Sequence, residues 1–135
     1  SYSNVAAVAG GKLAAIRSSL LDAPECVLLD GRSAAAPVPL ARLSGFAPAH
    51  DWAECESITT VSTDGTPIQS WITRPKNARN APALLWIHGG PIGMSGDGWH
   101  WRWNALLAAA QGYVVVQPNP RGSTGFGQQF VQGIW

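Results

Sequence analysis

His88-Gly89-Gly90-Pro91, directly behind a run of apolar residues, has the composition of an oxyanion-binding turn. With no side chain in the way, the Gly89 and Gly90 N–H groups can point at a substrate oxygen that gains charge during acyl transfer. Read alone, a Gly-Gly pair behind a strand is more often a simple tight turn. The oxyanion reading also requires a nucleophile on a Gly-x-Ser-x-Gly elbow, followed along the chain by an acid and a His. Two stretches come near that elbow and miss it. Gly93-Met94-Ser95-Gly96-Asp97 brings its second Gly one place too early, and Arg121-Gly122-Ser123-Thr124-Gly125 begins with Arg where Gly is required. Neither serine is read as a nucleophile. His88 and His100 are read as hydrogen-bonded structural histidines, since neither has a carboxylate at an obvious local spacing. Arg121 is read as a brace for its own loop, bonded to carbonyls or to a carboxylate elsewhere, with a substrate carboxylate as the alternative partner. The glycines at 122, 125 and 127 do not make a phosphate loop, because the required Lys does not follow them. No cofactor and no metal is called for.

The elements that must position these residues follow from periodicity. Ala83 to Ile87, entered from Pro82, is expected as a parallel strand buried on both faces. Gly89 and Gly90 then fall at the carboxyl edge of the sheet, where α/β enzymes place their ligands. Gly93 to Gly98 reads as a loop able to reshape around a ligand. Trp99, Trp101 and Trp103 alternate behind it and are expected to pack beneath it. Trp103, Leu106, Leu107 and Ala110 mark one face of a helix that Gly112 closes, and Tyr113 to Val116 is a second buried strand. Strand, helix and strand form one right-handed crossover. Pro118 and Pro120 are expected to stiffen the following loop, and Ser123 or Thr124 to cap a final helix through Gln128, Phe130 and Val131.

Earlier in the chain, Ser57–Ser62 and Pro67–Thr73 are β-branched and aromatic runs joined by Thr63-Asp64-Gly65-Thr66, a strong hairpin signal. Arg74 to Asn80 reads as a solvated polar loop. Val5–Val8, Leu13–Arg17 and Cys26–Asp30 are short apolar runs separated by turn residues, the texture of a β-meander. A meander this short has no second layer of its own and is expected to belong to something larger. Ala34 to Pro39 reads as an irregular connector, Phe46 to Asp51 as its continuation, with the domain boundary near residues 44 to 54.

Taken together, the Ala83–Pro91 stretch and the loop Gln117-Pro118-Asn119-Pro120-Arg121-Gly122-Ser123-Thr124-Gly125-Phe126-Gly127 resemble the prolyl oligopeptidase family of serine peptidases. The acylaminoacyl-peptidase and dipeptidyl-aminopeptidase branches are the nearest in likeness. The resemblance implies an α/β fold: residues 1–50 as the end of a β-propeller domain with its linker, and 51–135 as the N-terminal part of an α/β-hydrolase catalytic domain. It implies acyl-enzyme hydrolysis of peptide or acyl-amino-acid bonds, with Gly89 and Gly90 on the oxyanion side. In the family the elbow and the other two triad members lie beyond the Arg-Gly-Ser loop, so the chain is expected to be a fragment that is inactive alone. Ile92 departs from the pattern, in which a His often follows Gly-Gly-Pro, and leaves substrate preference open.

Composition sets the outer bounds. Nine basic and eight acidic residues leave a formal charge of +1, too little to attract nucleic acid or an anionic membrane surface. A charged fraction of 13% against 46% hydrophobic residues places the chain among globular proteins. No apolar run reaches the length of a membrane span and the start lacks a signal-peptide pattern, which points to the cytoplasm. Cys26 and Cys55 are expected as two separate small buried thiols. The expected partner is a peptide or acyl-peptide substrate, with the oligomeric state open. Two other readings stand beside the peptidase: a carboxylesterase of the hormone-sensitive-lipase kind, which also carries His-Gly-Gly after the corresponding strand, and a non-catalytic binding module on the same scaffold.

Overall fold

The computed structural model of the chain describes residues 1–42 and 51–135. It divides into two compact units, Ser1–Ala49 with Asp97–Asn104, and His50–Gly96 with Ala105–Trp135. The expected boundary near residues 44 to 54 and the crossing from Phe46 to Asp51 fall largely outside the described residues.

The first unit carries the expected meander. β1 (Tyr2–Val8), β2 (Lys12–Arg17), β3 (Glu25–Asp30) and β4 (Val38–Arg42) pair antiparallel in that order. Ala15 and Val27 face each other across β2 and β3, and both are buried. At the end of the same ladder Arg17 lies opposite Glu25 and bonds its buried carboxylate, which holds the guanidinium pKa above its ordinary value. β4 corrects the sequence reading, which placed Val38 and Pro39 in an irregular connector. Pro39 pairs with Val27 on the outermost strand of the sheet, a position where a missing N–H costs no ladder bond.

The second unit is a mixed sheet in the order β5-β6-β8-β7. β5 (Ala53–Val61) and β6 (Pro67–Pro75) form the expected hairpin about Asp64-Gly65, longer at both ends than the β-branched runs alone suggest. Arg74 is therefore a strand residue rather than part of a loop, and it pairs with Glu54 and Glu56 of β5. β8 (Val114–Asn119) runs antiparallel to β6 and parallel to β7 (Ala83–Leu85). Pro118 does not leave the sheet: it lies opposite Ser70, and the strand ends one residue later.

Between the parallel strands lies α1 (Ala105–Ala110), which buries Ala105, Leu106 and Ala109. The expected face is thereby rotated. Leu107 and Ala110 point outward and Trp103 precedes the helix, because an i, i+1, i+4 stripe covers a sheet as well as the i, i+3, i+4 stripe chosen from the larger side chains. Gly112 does close it. With φ 91 it donates to Ala109 O while Tyr113 N–H reaches Ala108 O, the two bonds of a Schellman cap. The final helix α2 (Gln128–Gln132) has Gly127 at its N-cap and no side-chain cap. Ser123 and Thr124, expected as that cap, lie too early in the chain and are used elsewhere.

β7 departs most from expectation. It is shorter than Ala83–Ile87, and Leu84, Leu85 and Ile87 are exposed rather than buried on both faces. The reason is topological: among the described residues β7 is the outermost strand, with a neighbour on one side only. Val115, the residue beside Leu84 on β8, is completely buried and carries the centre of this unit's core with Ile72 and Thr73.

Candidate active site

The ends of β7 and β8 deliver the two sequence motifs to one place. Trp86 N–H bonds Val116 O at 2.8 Å, so the chain keeps to β8 for one residue beyond β7 before it turns. His88 follows, with Nδ1 2.9 Å from Gly89 O and Nε2 2.9 Å from Ser123 Oγ. A carbonyl oxygen only accepts, so Nδ1 carries the hydrogen. In the neutral ring Nε2 is then the acceptor, and the Ser123 hydroxyl donates to it. The next residue of the same loop grips the far end of the turn, where Thr124 N–H donates to Gly93 O at 2.8 Å.

Between these two anchors lie Gly89, Gly90, Pro91 and Ile92. Gly90 has φ 139, and a Cβ there would stand 2.6 Å from Ile92 N, so the turn admits glycine alone at this position. At Gly89 a Cβ would meet nothing within 4 Å. Among the described residues neither glycine's N–H has a protein acceptor. Ile92 and Met94 flank the turn and are about half exposed, at 51% and 49%.

Below the turn lies a polar network that sequence reasoning missed. Val115, Gln117 and Asn119 alternate onto one face of β8, and Asn119 is completely buried. Its Oδ1 accepts from Ser95 N–H at 2.7 Å, and its Nδ2 donates to Ser95 O at 2.9 Å and to Gln69 Oε1. Trp71 Nε1 adds a bond to Ser95 O at 3.0 Å. The loop read as able to reshape around a ligand is thus tied down at its centre, with Ser95 only 9% exposed. The available signal was a polar side chain at an inward position of an apolar strand, masked by the prolines on either side.

The other candidates take structural places. Arg121 bonds the Asp64 carboxylate and Thr66 Oγ1 of the β5–β6 turn, which is the brace reading. His100 Nδ1 accepts from Arg102 and Trp103 N–H, at 3.1 and 2.9 Å. Trp101 and Trp103 are exposed at 62% and 53%, contrary to packing beneath a loop, and Trp101 stands edge-on to Trp99. Cys26 and Cys55 are separate thiols, each half-buried. His88 and Ser123 have the composition of a base–nucleophile pair and cannot act as one. Ser123 is fully buried, and His88 Nδ1 faces a carbonyl where a triad needs a carboxylate. Among the described residues no group of three His, Cys, Asp or Glu is placed to hold a metal, and no helix is long and apolar enough to cross a membrane.

Residues 99–135 match the model of the prolyl oligopeptidase family. The chain is 50% identical over 84 residues to the probable dipeptidyl-peptidase 5 of Aspergillus terreus, an alignment covering 58% of this chain and 12% of that protein. It is 53% identical over 73 residues to the dipeptidyl-peptidase 5 of Trichophyton equinum, covering 51% and 10%. Among solved structures, the Pyrococcus horikoshii acylaminoacyl peptidase superposes with a TM-score of 0.73 at 26% identity, over 96% of this chain and 20% of that one. The chain therefore spans about a tenth of the length of the curated relatives it matches. Its fold class is that of these neighbours, the N-terminal part of an α/β-hydrolase sheet preceded by the last strands of a β-propeller. With its glycine turn and its Arg-Gly-Ser-Thr-Gly loop joined at the carboxyl ends of two parallel strands, the chain is similar to members of the prolyl oligopeptidase family.

Proposed function

We propose that this chain is part of a serine-type peptidase that hydrolyses peptide or acyl-amino-acid bonds through an acyl-enzyme. The observation that carries the reading is the Gly89-Gly90 turn at the carboxyl end of β7, whose N–H groups have no acceptor among the described residues and whose two ends are held by the Ser123–Thr124 loop. A serine from another part of the protein attacks the substrate carbonyl. The oxyanion that forms is held by N–H from this turn and by the N–H next to the serine, while a His carries the proton to the leaving amine. The substrate class is a peptide, which accords with the names of the relatives and with a solved acylaminoacyl peptidase complexed with Z-Gly-Gly-Phe-chloromethyl ketone. We assign residues 1–50 to the end of a propeller domain and its linker, and 51–135 to the catalytic domain. The antiparallel meander and the separate mixed sheet support that division.

The test is activity of the full-length protein carrying this chain. It is expected to be labelled by a fluorophosphonate and to release amino-terminal dipeptides or acyl-amino acids from peptide substrates. Turnover of simple acyl esters alone would replace the peptidase by an esterase, and absence of both labelling and turnover would leave a binding module.

A further inference from the structure

We propose that the cavity between the β5–β6 turn and α2 binds the carboxylate of an aromatic amino-acid residue, on the unused edge of the Arg121 guanidinium. The cavity holds about 400 Å³, within the roughly 300–1,000 Å³ of small-molecule sites. Asp64 and Thr66 line it from the turn, and Arg121, Phe126, Gln129 and Phe130 from the chain behind β8. The inference goes beyond the peptidase reading and needs no acyl transfer.

An arginine side chain offers five N–H donors in a planar fork. Here one nitrogen, Nη1, makes both bonds of the brace, to the Asp64 carboxylate and to Thr66 Oγ1 at 3.2 Å. Among the described residues Nε and Nη2 donate to no protein acceptor. These two nitrogens form the side-on edge of the guanidinium, the pair that grips a carboxylate by two parallel bonds. The brace fixes the plane of the group before a ligand arrives, so less freedom is lost on binding. The Gln129 side-chain amide is a further donor without a protein partner among the described residues. Elsewhere the lining is aromatic. The Phe126 and Phe130 rings lie with centroids 5.2 Å apart and planes at 45°, a wall against which another ring packs edge-on or offset. Asp64 sets the charge of the ligand. Its half-exposed carboxylate accepts from Thr66 N–H at 3.1 Å as well as from Arg121, and offsets part of the guanidinium charge. A singly charged, planar carboxylate is therefore favoured over a phosphate, whose second charge would face Asp64.

The experiment is calorimetric titration of the full-length protein, treated beforehand with a fluorophosphonate so that no nucleophilic serine consumes a probe. The probes are N-acetylphenylalanine and the peptide Ala-Ala-Phe, each beside its carboxy-terminal amide, with N-acetylalanine and phenyl phosphate as controls. An aromatic acid is expected to bind with a Kd of about 0.1–1 mM, as its size allows. The amides and N-acetylalanine should bind about tenfold more weakly or worse. Gln129→Glu sets a like charge against the ligand at an exposed position, and Arg121→Lys keeps the charge but has no paired edge. Each is expected to weaken the acid by about tenfold, and Gln129→Glu decides if Arg121→Lys does not fold. Binding of the peptide acid supports the proposal with a chain terminus as the ligand, and binding of the acetylated amino acid alone supports it with a free small molecule. Equal binding of acids and amides, tighter binding of phenyl phosphate, or indifference to Gln129→Glu would overturn it. So would no binding of either acid up to about 10 mM. Whether the protein takes up the fluorophosphonate bears on the peptidase reading and not on this one.

Discussion

Asn119 holds both polar backbone atoms of Ser95 with one side-chain amide, taking the N–H at 2.7 Å and giving to the carbonyl at 2.9 Å. A side chain thereby does what a neighbouring strand does elsewhere in the sheet. It pairs the backbone of a residue that lies outside the ladder. Asn119 ends β8 and Ser95 follows the glycine turn, so the contact joins the floor of the candidate site to the strand that carries the Arg-Gly-Ser-Thr-Gly loop.

Asn119→Leu is expected to strand the Ser95 N–H without an acceptor, at a cost of about 2 kcal/mol to the local structure. Amide hydrogen exchange at Ser95 should rise by roughly 30-fold, with protection on β5 and β6 unchanged. Trp71→Phe serves as the milder comparison. Ser95 O keeps its bond from Asn119 Nδ2, so a loss of about 1 kcal/mol is expected. Equal effects from the two substitutions would show that Asn119 is not the principal tie.

The two glycines of the turn should respond differently to alanine. Gly90→Ala places a Cβ 2.6 Å from the Ile92 backbone at φ 139, and is expected to cost about 1–3 kcal/mol. Gly89→Ala meets open space, and a stability change within about 0.5 kcal/mol is expected. Urea unfolding of the two variants gives the comparison, and an equally destabilised Gly89→Ala would mean that the turn is held differently from the geometry described above.

β7, the edge strand of its sheet among the described residues, exposes Leu85 at 61%, with Ile87 at 57% beyond its end. An unpaired apolar edge is a template for pairing with another chain. The 135-residue chain in isolation is therefore expected to self-associate in a concentration-dependent manner in sedimentation, and Leu85→Lys to suppress it. It should also take up no fluorophosphonate, since neither Ser95 nor Ser123 stands on an elbow. A sharp monomer boundary with a cooperative melt would contradict the first expectation, and specific labelling the second.

What the sequence determined by itself was local. Asp64-Gly65 between two β-branched runs settles a hairpin, and Gly112 behind an apolar stripe settles a helix end. Both depend on backbone angles that a few neighbouring residues dictate. The Gly-Gly turn was legible for the same reason, and the missing elbow because a motif's absence can be read from spacing alone. The tertiary structure decided the rest. His88 and Ser123 are 35 positions apart and meet only because β7 and β8 lie side by side in parallel, bringing their carboxyl-end loops together. Which face α1 turns inward, which strand is left at the edge, and which polar side chain Asn119 or Arg121 finds are likewise set by neighbours distant in sequence. Periodicity reports that a residue has an inside and an outside, but the chain's topology determines what occupies each.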